Sequence, residues 1–108
     1  MGMYLGRFSY TPDAVRALIA GPEDRTKVAA AAVESLGGTL HGFWYAFGEF
    51  DGYYLYELPD DTAAAALALR IGSGGALSKH ETIPLMTVEQ GIEAFRKASG
   101  ASYAPPGG

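Results

Sequence analysis

The spacing of apolar residues predicts helices in four stretches of the chain. Thr11-Pro12-Asp13 is typical of a helix start, because a hydroxyl cap, a proline and an acidic residue each suit the first turn. Apolar residues then recur at helical spacing as far as Gly21-Pro22, and again from Arg25 to Leu36. A third helix opens at Pro59-Asp60-Asp61, and a fourth follows the capping box at 87–90. The pattern leaves open whether the first stretch is one kinked helix or two helices.

Four shorter stretches, rich in aromatic and branched residues, predict strands. They run from Met3 to Tyr10, from Thr39 to Phe47, from Tyr53 to Leu58 and from Leu77 to Leu85. The predicted order is strand, helix, strand, strand, helix, strand and an extra helix, which is the order of the ferredoxin-like motif β-α-β-β-α-β. We therefore predict an α+β fold, in which a four-stranded antiparallel sheet carries its crossover helices on one face.

Both faces of the predicted sheet carry large apolar side chains. Strict alternation along the second strand places Leu40 and Trp44 on one face and Phe43 and Tyr45 on the other. Crossover helices cover only one face, so the other face needs a different cover. The simplest cover is a second copy of the same sheet, and we predict a homodimer or a higher oligomer.

Composition and charge limit the class of protein. The chain has 108 residues, 48% of them hydrophobic, which suits one domain at 1–100 followed by a flexible tail at 101–108. Its eight basic residues are scattered among twelve acidic ones, so neither nucleic acid nor a membrane is an expected partner. The absence of cysteine excludes disulfides and fits a cytoplasmic protein. We expect neither a signal peptide nor a membrane-spanning segment.

The order of several short motifs resembles that of the GYD-domain family. Gly48-Glu49-Phe50-Asp51 matches the family's Gly-x-Tyr-Asp signature, with phenylalanine at the tyrosine position. Tyr10-Thr11-Pro12-Asp13 and Trp44-Tyr45-Ala46-Phe47-Gly48 lead up to it, and Leu58-Pro59-Asp60-Asp61 follows it. The similarity covers roughly residues 3–98.

This resemblance implies a dimeric α+β barrel, in which two sheets face each other and the helices lie outside. It implies no particular activity, because the related dimeric barrels include monooxygenases, haem-dependent enzymes and small-molecule binders. The phenylalanine at Phe50 also removes the signature phenol, so a mechanism that depends on that hydroxyl does not apply to this chain.

Asp51 and His41 are the candidate acid–base residues. A carboxylate in an apolar hairpin can act as a general base, whereas an aspartate in a turn commonly accepts backbone hydrogen bonds. His41 and His80 are the two imidazoles, and they fall on opposite edges of the predicted sheet. No metal-ligand spacing accompanies them, so we predict no metal and no cofactor, although either imidazole is chemically able to ligate a haem.

Arg7 and four aromatic residues are candidate ligand-binding residues. The aromatic ones are Trp44, Tyr45, Tyr54 and Tyr56, which crowd the predicted hairpin. They suit either a pocket for a flat apolar ligand or ordinary packing against the alanine-rich helices. Arg7 falls in a central strand, where a charge needs a partner. We predict an ion pair between Arg7 and Glu57, with an anionic ligand as the alternative.

Two functions from different classes follow from these residues. The first is a dimeric small-molecule binding or accessory protein with no catalysis of its own. The second is a cofactor-poor enzyme, of monooxygenase or isomerase type, that acts on an apolar aromatic or quinone-like substrate. Asp51, His41 or a tyrosine would then be its acid–base group. Because no complete catalytic set is recognisable, the sequence favours the binding protein.

Overall fold

The computed structural model describes residues 1–107 and confirms the predicted α+β fold class. The strands are β1 (Gly2–Tyr10), β2 (Thr39–Tyr45), β3 (Gly52–Leu58) and β4 (Leu77–Leu85). The helices are α1 (Pro12–Ala20), α2 (Arg25–Ser35), α3 (Asp61–Ser73) and α4 (Val88–Ser99). Residues 101–107 belong to neither helix nor strand, and Gly108, the end of the predicted tail, lies outside the described residues. No helix of the described residues is long and apolar enough to cross a membrane.

The four strands form one antiparallel sheet in the order β2-β3-β1-β4. β1 is central and pairs with β3 on one side and β4 on the other, which is the ferredoxin-like arrangement. His41 on β2 and His80 on β4 therefore lie on opposite edge strands, as the sequence predicts.

The first crossover contains two separate helices, which answers the question left open by the sequence. Thr11 caps α1, its Oγ1 accepting a hydrogen bond from the Ala14 amide at 3.3 Å. The segment Gly21-Pro22 ends that helix, since a proline cannot supply the amide that a continuous helix needs. Asp24 then caps α2, with Oδ1 3.0 Å from the Thr26 amide.

One face of the sheet packs against α2 and α3, and the hydrophobic core lies between them. Burial alternates strictly along β3, so that every second residue faces the helices. The buried members of this core are Tyr4, Phe8, Val33, Tyr54, Tyr56, Leu58, Ala64 and Leu67. Large aromatic rings from the sheet thus meet small residues from the helices, which is how an alanine-rich helix fills its layer.

A β-bulge in β2 changes the predicted alternation of that strand. The pairing of β2 with β3 shifts between Leu40 and Gly42, which leaves His41 without an opposite residue. Leu40 consequently packs against the core on the same face as Phe43. The strict alternation that placed Leu40 with Trp44 is wrong, because the extra residue inverts the faces on one side of the bulge.

The other face of the sheet, here called the open face, has no helix over it. Its centre is formed by Leu5 of β1 with the residues directly opposite, Leu55 of β3 and Ile83 of β4, and all three are half-buried. Trp44 of β2, on the same face, is 54% exposed.

Candidate functional site

A glycine in the central strand lets a tyrosine reach across it to a histidine. A Cβ at Gly6 would lie only 2.3 Å from Cε1 and Cζ of Tyr54, so the tyrosine ring occupies the space that a side chain on β1 would fill. Tyr54 comes from β3, and its hydroxyl crosses β1 to reach Nε2 of His80 on β4 at 2.5 Å. The two rings are stacked, with centroids 5.9 Å apart and planes 17° from parallel.

Burial fixes the protonation states of this pair. It raises the pKa of Tyr54 far above neutrality and lowers the pKa of His80 below its usual value. The phenol is therefore protonated at neutral pH, and its hydroxyl shares a hydrogen bond with Nε2 of His80.

Two more tyrosines continue the stack beside Tyr54. The ring centroid of Tyr56 is 4.8 Å from that of Tyr54, and the centroid of Tyr4 is 5.6 Å from that of Tyr56. Tyr4 donates a hydrogen bond of 2.6 Å to Oδ1 of Asp61, and this bond is the main reason why its pKa rises to about 12. The hydroxyl of Tyr56 is buried without a hydrogen-bond partner among the described residues.

An apolar cleft of about 280 Å³ lies between α2, α3 and the sheet. Its floor includes Phe8, Phe43 and Tyr54, and its walls come from the inner faces of the two helices. Arg25, at the start of α2, is the one charged residue in the lining, and it is paired with Glu23 at 2.6 Å. Tyr54 thus belongs both to the floor of the cleft and to the pair with His80.

The match to known families covers most of this architecture. The family described as GYD domain matches residues 4–95, from β1 into α4. The chain belongs to the GYD-domain family. No curated protein and no solved structure matches it. In this GYD domain the signature segment forms the loop between β2 and β3, and Phe50 is a buried residue that packs on the open face.

The signature residues of this GYD domain have evident structural contacts. The Arg7 guanidinium carbon lies 4.3 Å from the centroid of the Phe50 ring, and Nζ of Lys79 lies 4.6 Å from it. Asp51 accepts a hydrogen bond from the Tyr10 amide at Oδ2, 2.9 Å away, and its own amide donates to the Phe8 carbonyl. Asp51 therefore ties the loop to the end of β1, and it does not line the cleft.

The predicted ligand-binding residues are not brought together in one place. Tyr54 lines the cleft, and Tyr56 lies beside it in the core. Tyr45 is half-exposed, with its hydroxyl 3.1 Å from that of Tyr10, and it lines a second groove beside α1. Trp44 is exposed on the open face, and His41 lies there too, with Nε2 2.7 Å from Oε1 of Glu57.

The predicted ion pair between Arg7 and Glu57 is wrong. Glu57 lies opposite Met3 in the pairing of β1 with β3, four residues away from Arg7, and pairs with His41 instead. Arg7 lies directly opposite Glu81 of β4 and pairs with it, Nη2 to Oε2, at 2.7 Å. The register of the β1–β4 pair decides the partner, because directly opposite residues of an antiparallel pair share a face.

The Tyr54–His80 pair was not predicted from the sequence. A signal was present in Gly6, since a glycine inside a strand often marks the close approach of another group. Its use required the register of the strands, which places Gly6 opposite Tyr54 and Phe8 opposite His80. No group of three or more potential metal ligands occurs among the described residues.

Proposed function

We propose that this GYD domain binds a small, flat, apolar ligand in the cleft between α2, α3 and the sheet. The observation that carries the proposal is the floor of the cleft, where aromatic rings surround a tyrosine whose hydroxyl is held by a half-buried histidine. A volume of about 280 Å³ lies near the lower end for small-molecule sites, which suits a ligand of one or two rings. The aromatic floor favours stacking with a planar ligand.

A variant that fills the cleft tests this proposal. Ala29 lies in the wall formed by α2, so Ala29→Phe should occupy the space of a ligand. Ala31, two residues along the same helix, is exposed, and Ala31→Phe is the matched control. With 2-naphthol and menadione as probes in calorimetric titrations, we expect binding to the parent and to Ala31→Phe, and at least a tenfold loss for Ala29→Phe. Equal affinities for all three proteins would contradict the proposal.

The second candidate is a cofactor-poor enzyme that acts on an aromatic or quinone-like substrate. It is favoured by one observation, the short hydrogen bond between buried Tyr54 and half-buried His80, two groups capable of acid–base chemistry beside the cleft. Tyr54→Phe keeps the ring and removes the hydroxyl. In either case this variant should keep the parent's affinity for naphthalene. If the protein is an enzyme, the variant should in addition lose the turnover of a hydroxynaphthoquinone, which is measured by absorbance.

The proposal includes a homodimer formed through the open face. Leu5, Leu55 and Ile83 are only half-buried there, and the charged residues of the face already have partners within the chain, as in the Arg7–Glu81 pair. A second copy would therefore bury apolar surface without leaving those charges unpaired. A cytoplasmic location, which the cysteine-free composition suggests, is part of the same proposal.

A further inference from the structure

Helix α4 is completely formed, yet it buries none of its residues. The hydroxyl of Thr87 accepts from the Gln90 amide while the Gln90 side chain accepts from the Thr87 amide, and Gly100 closes the other end. Its apolar side chains are nevertheless in solvent: Val88 is 81% exposed and Phe95 is 78% exposed. A helix of 12 residues is marginally stable in water by itself, so this one needs a packing partner.

The shape of the molecule shows that the body of its own chain does not provide that partner. The radius of gyration is 17.4 Å, against about 13 Å for a compact chain of this length. The longest dimension is 57 Å and the shortest is 22 Å. Helix α4 therefore extends away from the sheet as an arm.

The pattern of the arm favours another helix as its partner. One side of the arm carries a narrow stripe whose residues follow at intervals of four, three and four: Val88, Ile92, Phe95 and Ser99. A stripe this narrow is typical of a helix that packs against one other helix. Its two acidic residues are balanced by two basic ones, Arg96 and Lys97. Helices that bind a membrane surface or nucleic acid carry an excess of Lys and Arg, which the arm lacks.

The surface of the chain that best suits the arm is the groove between α1 and the ends of β1 and β2. Helix α1 also buries none of its residues, and its Val15 and Ile19 are 39% and 74% exposed. These two side chains and Leu18 line the groove on the side of α1, and the rest of its lining is Tyr10, Tyr45, Pro22 and Glu23, whose carboxylate is paired with Arg25. Among the described helices, α1 and α4 are the two that have no buried residue.

The arm cannot reach α1 of its own chain. The two helices leave opposite ends of the sheet, because α1 follows the end of β1 while Leu85, just before α4, lies opposite Met3 at the start of β1. The nine residues of β1 span about 30 Å. From Val88 to Phe95 the arm covers only about 11 Å. If the arm fills an α1 groove, that groove must therefore belong to another molecule.

We propose that α4 is an exchanged arm that packs its apolar stripe into the α1 groove of a second copy of this chain. The arm continues the open face, since Leu85 and Met86, 38% and 69% exposed, lead from β4 directly into it. The inference rests on the proposed homodimer. The two-fold axis of that dimer would have to run perpendicular to the strands, because only then does the end of one sheet that carries α4 meet the end of the other sheet that carries α1.

Photochemical crosslinking between isotopically distinct chains tests this arrangement. Phe95→p-benzoylphenylalanine is prepared in unlabelled protein and mixed, after joint refolding, with nitrogen-15 protein of the natural sequence. We expect irradiation to join light and heavy chains, with the heavy-chain site in residues 12–20. The matched control is Lys97→p-benzoylphenylalanine, on the opposite side of α4, which should give at least fivefold less of this product. Val15→Glu in the heavy chain should reduce the Phe95 product by a similar factor.

The outcomes separate the arm from the dimer. The arm would be overturned if the crosslinks stayed within one chain, or if they joined two chains outside residues 12–20. The dimer would still stand in that case, provided that light scattering gives a dimeric mass. A monomeric mass for the natural sequence would overturn the dimer and the arm together. If position 97 gave as much crosslinked product as position 95, the arm would also be contradicted, because the apolar stripe of α4 would then not be the side that faces α1 of the other chain.

Discussion

At the scale of single residues, Gly6 determines whether Tyr54 can reach His80. In Gly6→Ala the added methyl would lie 2.3 Å from the tyrosine ring, so the ring must leave its place and the hydrogen bond must break. We expect the free energy of unfolding to fall by about 1–3 kcal/mol. The measurement is urea denaturation beside Gly72→Ala, where nothing lies within 4 Å of the added carbon and a gain of a few tenths of a kcal/mol is expected from helix propensity. Equal stability of the parent and Gly6→Ala would show that the ring has room elsewhere.

The pH dependence of stability should report the half-buried imidazole of His80. Its pKa in the folded protein is lowered by burial, so the unfolded chain binds a proton more readily than the folded one. Stability is then complete above the ordinary histidine pKa of about 6.5 and falls as the pH drops from there towards the folded value. We expect His80→Gln to lose this part of the slope in denaturation series between pH 7 and pH 5. A parent protein more stable at pH 5 than at pH 7 would contradict the lowered pKa.

At the scale of secondary-structure elements, the local signals of the sequence suffice to locate helices and strands. Caps such as Thr11 and Thr87, together with the glycine stops, act within one turn, and these elements begin where the signals lie. The register between strands depends on partners far away in the chain, and the predictions of register fail although the predicted strand order is confirmed. The bulge at His41 and the pairing of Arg7 with Glu81 both depend on register, which no local motif encodes.

The candidate site was predictable only in part for the same reason. Tyr54 was identified as a ligand-binding candidate from its place among the aromatic residues of the hairpin. Its link to His80 needed the register of β1 with β3 and β4, which brings residues 26 positions apart into contact across Gly6. Asp51 and His41 were candidates because their side chains can transfer protons, but neither of them lines the cleft.

The loop between β2 and β3 provides a test of whether Asp51 is structural or chemical. Asparagine keeps an oxygen that can accept from the Tyr10 amide, so Asp51→Asn should lower the free energy of unfolding by about 1 kcal/mol or less. Asp51→Ala removes the acceptor, and we expect a larger loss of about 1–2 kcal/mol. Neither variant should change the affinity for 2-naphthol, because Asp51 does not line the cleft. A stable Asp51→Asn protein that no longer binds the probe would instead show that this carboxylate acts on the ligand.

At the scale of the whole molecule, the two faces of the sheet have different environments. The inner face is closed by α2 and α3 except at the cleft, which Tyr54 lines. The open face combines apolar residues with the Arg7–Glu81 ion pair and the hydrogen bond between His41 and Glu57, both formed within the chain. The proposed binding site and the proposed dimer interface therefore lie on opposite faces of the same sheet, so that the two proposals can be tested separately.

That separation makes the dimer testable without disturbing the cleft. Leu5 lies at the centre of the open face between Leu55 and Ile83, so Leu5→Lys would place a charge in the interface of two facing sheets. Leu69 is 75% exposed on α3, and Leu69→Lys is the matched control for the same change of side chain. In light scattering at micromolar concentration we expect twice the chain mass of 11.4 kDa for the parent and for Leu69→Lys, and the single mass for Leu5→Lys. The monomeric variant should still bind 2-naphthol, since its substitution is on the far side of the sheet. A parent that scatters as a monomer throughout this range would leave the open face as a surface exposed to solvent.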